Sequence, residues 1–159
     1  MHEEYASLIT GLPLFKGYTA PGAQRLISKG AVEEHSPDEV LFKEGDAATD
    51  VLLVLKGKLQ VFVERHSRQL VLTDCGPGTI LGELAVLCGI PRSASVRVLE
   101  PSTVLSWEAA AFRSLLLADA FLSERIFRQA LRTLIDKEQS LIASLTQSQD
   151  DKAHNESHA

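Results

Sequence analysis

The sequence is short of cysteine, of basic charge and of clustered histidine, and it has no long apolar run. Its 2 cysteines, Cys75 and Cys88, are separated by twelve residues and form no Cys-x-x-Cys pair. Two thiols are too few to hold an iron–sulfur cluster on one chain, so they read as reduced cysteines of a cytosolic protein. Lys and Arg number 16 against 21 Asp and Glu, a net charge of −5. A chain-wide positive footprint for nucleic acid is therefore missing, and no DNA partner is expected. No apolar stretch approaches the length needed to cross a bilayer. Met1-His2-Glu3-Glu4-Tyr5 is acidic and lacks the basic start and apolar run of a signal peptide. The expectation is a cytoplasmic protein without membrane contact.

Catalytic signatures are also absent. His35 and His66 lie far apart, with no second histidine near either, and His154 and His158 fall at the C-terminal end. A cupin-like metal enzyme needs clustered histidines with a carboxylate, so that alternative ranks last, and both histidines read as exposed turn residues. No Ser-His-Asp or Cys-His arrangement stands out. A non-enzyme is expected, with no cofactor and no metal.

What is present suits one domain. The 159 residues are 45% apolar and 23% charged, enough for a core without disulfide or metal. Three zones follow one another. Residues 5–30 read as short helices, because Pro13 and Pro21 cannot sit inside long ones. Residues 31–107 read as a β-roll of the jelly-roll type, with many short strands between turn residues. Turns are expected at Ser36-Pro37-Asp38, Glu44-Gly45-Asp46, Gly76-Pro77-Gly78 and Glu100-Pro101-Ser102. Lys56-Gly57-Lys58, between Val51–Leu55 and Leu59–Val63, reads as the turn of a hairpin. Residues 109–149 read as helical, and residues 150–159, with no apolar side chain larger than alanine, as a disordered tail.

Within the last helix, Phe127, Leu131, Leu134, Leu141 and Leu145 step by four, three, seven and four, with Glu138 filling the gap in the long step. This heptad-like stripe, widened by Ile126, Ala130, Ile135 and Ile142, is fit to pack on its own domain or to meet a partner.

The most informative segment is Gly82-Glu83-Leu84-Ala85-Val86-Leu87-Cys88-Gly89-Ile90-Pro91-Arg92-Ser93-Ala94-Ser95-Val96. Gly82 lets the backbone turn, and residues Glu83 to Leu87 can make one helical turn with outward N–H groups. Such turns attract anions. Arg92 supplies a bidentate donor suited to phosphate, and Ser93 adds a hydroxyl. A ligand with both hydroxyls and an anionic phosphate would satisfy Glu83 and Arg92 together; the alternative is a surface ion pair between them.

The order Gly-Glu-Leu-Ala followed by Arg-Ser-Ala-Ser-Val resembles the phosphate-binding cassette of cyclic-nucleotide-binding domains. That family includes the bacterial catabolite activator protein and the regulatory subunits of cAMP-dependent protein kinase. Leu12-Pro13-Leu14-Phe15 resembles its helical entry, and the glycine turns fall where its β-roll has them. The resemblance covers roughly Leu12 to Leu145. It implies that Glu83 accepts from the ribose 2′-hydroxyl, that Arg92 pairs with the exocyclic phosphate oxygens, and that Ser93 serves the phosphate or a guanine edge. Backbone N–H groups near Gly82, Leu84, Ala85 and Ala94 would complete the cradle. Val61 and Leu72 are candidates for the apolar wall behind sugar and base, or else plain roll core. Ser93 leaves both cAMP and cGMP open.

The family's base cap usually comes from the C-terminal helix, where this chain has Lys137 and Glu138 in place of a Thr-Ser pair; a solvated helix charge is the alternative. The chain stops soon after that helix, so a helix-turn-helix domain is not expected. The resemblance thus implies a stand-alone sensor. Nucleotide would order the cassette and shift a hinge near Phe112 to Phe121, moving the helix to change homodimer packing or to engage an unknown downstream protein. A degenerate roll that binds no nucleotide and acts as an interaction scaffold is the competing expectation.

Overall fold

The prolines break the N-terminal helices where the sequence leads one to expect. In the computed structural model, which describes residues 2–157, α1 (His2–Thr10) ends before Pro13, and Pro13–Phe15 forms one 3-10 turn. Helix α2 (Ala20–Ser28) follows, with Pro21 in its first turn, where a missing N–H leaves no helical bond unmade. Its buried face is Ala23, Leu26 and Ile27. The Leu26 carbonyl accepts a 2.8 Å hydrogen bond from the buried Trp107 indole, which seats the helix on the roll.

The roll is antiparallel throughout. Its strands are β1 (Ala31–His35), β2 (Val40–Phe42), β3 (Asp50–Arg65), β4 (Arg68–Cys75), β5 (Ile80–Leu81) and β6 (Ser95–Glu108). The main order is β1-β6-β3-β4, with β2 also on β6 and β5 also on β3. Leu52, Val54, Leu59, Val96, Val98 and Val104 close around Phe42 to form the core beneath the site. The short helix α3 (Glu83–Cys88) sits between β5 and β6, and α4 (Ala109–Ala118) leaves the end of β6.

Two of the expected turns are not turns. Val51–Leu55 and Leu59–Val63 do not pair with each other as a hairpin: both belong to β3, and both pair with β6. The run Glu100-Pro101-Ser102 likewise lies inside β6. Their physical role is shared. Lys56 pairs with Thr103 and Lys58 with Glu100, so the single Gly57 faces both Pro101 and Ser102. Pro101 has no N–H to offer a ladder, and the mismatch bends both strands at one height. Gly57 has φ +96°, and a Cβ there would lie 2.2 Å from Ser102 Oγ and 2.6 Å from Ser102 Cα. The Ser102 hydroxyl fills the gap, accepting from the Lys58 N–H at 3.1 Å and donating to the Glu100 carbonyl at 2.7 Å. The chain actually reverses at His66-Ser67, where both residues have positive φ, 54° and 63°, as a tight two-residue hairpin demands.

The chain divides into two units, Met1–Leu122 and Ser123–Ala159. Helix α5 (Ala120–Ser157) supplies the second. It replaces the tail expected from Asp150 with helix as far as Ser157; residues 158–159 lie outside the described residues. Once a long helix is nucleated, polar residues extend it without apolar support, so a lack of large apolar residues did not predict disorder. Phe127, Leu131, Leu134, Ile135, Leu141, Ile142 and Leu145 are all exposed on it. Among the described residues, no helix is long and apolar enough to cross a membrane.

Candidate functional site

Gly82 joins β5 to α3 and caps the helix with φ +87°, a left-handed conformation that favours glycine. A Cβ on it would lie 2.4 Å from Arg92 Nη1 and 2.7 Å from the Phe42 ring. The glycine thus serves both the turn and the approach of the arginine. The Val86 N–H reaches the Gly82 carbonyl at 3.3 Å, so Leu84 and Ala85, earlier in the turn, present their amides before the helical ladder begins. Leu84 is half-buried and Ala85 buried.

Arg92 is not a surface side chain. It is 6% exposed, and its guanidinium lies 3.6 Å over the Phe42 ring centroid. Nη2 donates to the Asp50 carbonyl at 2.6 Å and to Asp50 Oδ1 at 2.9 Å, while Nη1 donates to the Gly82 carbonyl at 3.3 Å. Burial pulls its pKa below the ordinary arginine value, and the neighbouring Asp50 carboxylate works against that shift. The backbone is held as firmly. The Arg92 N–H donates to the Asp46 carbonyl, and the Gly45 N–H donates to the Arg92 carbonyl, each at 2.9 Å. The Glu44-Gly45-Asp46 turn therefore clasps the cassette. Ser95 adds another link by accepting from the Glu44 N–H at 2.9 Å.

Around this arginine the structure gathers Gly82, Glu83, Leu84, Ala85, Ser93 and Ala94 in one stretch between β5 and β6. Glu83 is half-buried in the first turn of α3; Ser93 is exposed and Ala94 half-buried. Val61 packs against the core beneath and pairs with Val96 and Thr73. Leu72 is placed otherwise. The pairing passes from Val61–Thr73 to Phe62–Val71, so Leu72 bulges out of register and is 50% exposed. It is not roll core. Lys137 and Glu138 stand exposed on α5, in the second unit.

Three residues with a part in the arrangement carried no sequence signal that singled them out. Asp50 and Phe42 anchor Arg92, and Arg113 on α4 donates from Nη2 to the Val86 carbonyl at 2.8 Å. Asp50 did leave a trace, as an acidic residue directly before the fully buried run Val51–Leu55. Phe42 and Arg113 left none, because a core aromatic and a helix-surface arginine are commonplace.

His35 is neither exposed nor in a turn, contrary to expectation. It ends β1, with Nδ1 at 2.7 Å from Glu39 and Nε2 at 2.9 Å from Glu33. Both ring nitrogens facing carboxylates favour the doubly protonated ring. Burial pushes its pKa down, but the bonds to Glu39 and Glu33 prevail and raise it above 6.5.

The family model described as the cyclic nucleotide-binding domain matches residues 32–119. The chain is 39% identical over 116 residues to the Pycsar effector protein PaPycTIR of Pseudomonas aeruginosa, across 72% of this chain and 35% of that protein. It is 31% identical over 113 residues to potassium channel KOR1 of Oryza sativa subsp. japonica, across 70% of this chain and 13% of the channel. It thus spans about a third or less of these curated relatives. Among solved structures, a cAMP-binding acyltransferase from Mycobacterium smegmatis superposes with TM-score 0.67 at 28% identity, over 81% of this chain and 40% of that one. The catabolite activator protein of Thermus thermophilus gives TM-score 0.73 at 23% identity, over 81% and 61%, a likeness of fold.

Proposed function

Because the chain belongs to the cyclic nucleotide-binding domain family, we propose that residues 82–96 bind cAMP or cGMP and that the domain reports occupancy through its C-terminal helix. The observation that carries this reading is the buried Arg92, fixed by Asp50, Phe42 and Gly82 within a turn of left-handed glycine and early helix amides. A cation held this way, beside amides not yet used by a helix, suits a singly charged cyclic phosphate. Glu83 takes the ribose 2′-hydroxyl, Ser93 and the amides of Leu84, Ala85 and Ala94 complete the phosphate cradle, and Val61 and Leu72 flank the base.

The neighbour at 28% identity is described as cAMP-binding, which supports trying cAMP first. The exposed Ser93 hydroxyl suits either purine. The chain acts as a cytoplasmic regulatory module, not as an enzyme, and α5 is its output, as a homodimer helix or as a surface for a downstream protein. The route from cassette to helix runs from Val86 through Arg113 into α4, and from there to Asp119, which separates α4 from α5. Asp119 accepts from the Leu122 N–H at 3.0 Å and from the Tyr18 hydroxyl.

Amide hydrogen exchange with and without saturating cAMP or cGMP tests the proposal. Slower exchange across 82–96 and altered exchange in α5 are expected. Unchanged exchange with both nucleotides would refute it.

A further inference from the structure

The Glu44-Gly45-Asp46 turn that clasps the cassette holds a second element as well. The Glu44 N–H donates to Ser95, and the Gly45 N–H donates to the Arg92 carbonyl. The Glu44 carboxylate, half-buried, serves the tip of the β3–β4 hairpin instead. Its Oε1 and Oε2 accept from Arg65 Nη1 at 3.1 and 2.8 Å, and Oε1 also accepts from the Glu64 N–H at 3.4 Å. The bond from Arg65 is the main reason the Glu44 carboxyl titrates below its usual range. One turn thus separates the Arg65 guanidinium from the backbone of Arg92.

The hairpin needs such a tie. Pairing of β3 with β6 ends at Phe62–Ser95, while pairing of β3 with β4 continues to Arg65–Arg68. Residues 63–70 therefore run on as a two-stranded ribbon, a form that is marginally stable without further support. A second tie reaches it from β6. Arg97 lies 4.5 Å over the Phe62 ring centroid and donates from Nη1 to Gln69 Oε1 at 2.8 Å. Side chains alternate along a strand, so Val63 shares a face with Val61, and its partner Leu70 stands on that face too. Val63 is buried, but Leu70 is 49% exposed. The ribbon thus carries an open apolar side chain on the face that holds Val61, next to Val96 at the end of the cassette.

We propose that the Glu44–Arg65 pair, backed by Arg97–Gln69, is a latch that holds the β3–β4 ribbon against the cassette and so sets how long a cyclic nucleotide stays bound. This rests on the reading of residues 82–96 as the nucleotide site. Glu44 and Arg65 are positioning residues: they act through the ribbon and the clasp, and not on the nucleotide. Differences in affinity among variants of one site fall mostly on release, and a latch of this kind acts there.

The test uses the full chain and stopped-flow fluorescence. The probes are cAMP and cGMP labelled at the purine 8-position, chased with unlabelled nucleotide. Arg65→Met is expected to raise the dissociation rate constant about fivefold, the upper end for an exposed ion pair, and to leave association within about twofold. Glu44→Gln should do the same from the other side. The double variant should release no faster than the faster single one, because both remove one contact. Arg65→Lys keeps the charge and should stay within about twofold of the wild type. Raising salt to about 0.5 M should narrow the gap between wild type and Arg65→Met, because the pair is exposed. Circular dichroism confirms that each variant is folded. A wild type that binds neither nucleotide would overturn the reading of the site together with the latch. A wild type that binds, with both single variants releasing at its rate or with slower association as their only change, would overturn the latch alone.

Discussion

Arg113 on α4 donates a 2.8 Å hydrogen bond to the carbonyl of Val86 near the end of α3. A carbonyl in the last turn of a helix has no partner within that helix, so the contact satisfies an acceptor while joining α3 to α4. Arg113→Ala is expected to leave nucleotide affinity within about threefold, since Arg113 does not contact Arg92. It is expected to abolish the change in α5 hydrogen exchange on adding nucleotide. An α5 response equal to that of the wild type would break this link in the account.

Gly82→Ala meets two obstacles at once, a φ of +87° and a Cβ only 2.4 Å from Arg92 Nη1. Strained left-handed backbone alone costs about 1–3 kcal/mol. Urea denaturation should show a loss of that order. Titration should show weaker nucleotide binding, because the guanidinium is displaced from its seat over Phe42.

Asp50→Ala leaves a buried guanidinium without its carboxylate, though the Asp50 carbonyl remains as an acceptor. An unsatisfied buried partner costs about 1–3 kcal/mol, which denaturation would measure. Asp50→Asn keeps an acceptor oxygen and should lose less. Both should weaken nucleotide binding through the orientation of Arg92, and less than loss of Arg92 itself.

The His35 cluster gives the protein a pH dependence whose sign is set by its charge. Because the folded pKa lies above 6.5, the folded state binds the proton more tightly than the unfolded chain. Its stabilisation is complete below about 6.5 and is lost as pH rises through the folded value. Thermal unfolding from pH 5.5 to 8.5, wild type against His35→Gln, should show the wild-type advantage shrinking as pH rises. An advantage that grows with pH would contradict the arrangement.

The fold was largely legible because its signals are local. Proline placement set the helix breaks, and Gly82-Glu83-Leu84-Ala85 with Arg92-Ser93 marked the cassette. What escaped notice depends on partners distant in sequence. Gly57 looks like a hairpin turn in isolation, and only the opposing Pro101-Ser102 makes it a bend within one strand. Arg92 reads as a phosphate donor, but its burial shows only when Asp50 of β3 and Phe42 of β2 close over it. The helical end from Asp150 to Ser157 escaped because a polar composition does not distinguish free coil from the extension of an existing helix.

The central claim is that residues 82–96 hold a cyclic phosphate through Arg92. Equilibrium titration with cAMP and with cGMP, wild type beside Arg92→Ala, measures this directly. Saturable binding of at least one nucleotide by the wild type is expected, with affinity lowered at least about a hundredfold in the variant, as loss of a charge-assisted bidentate contact implies. No binding of either nucleotide at millimolar concentration, or equal binding by wild type and Arg92→Ala, would contradict it.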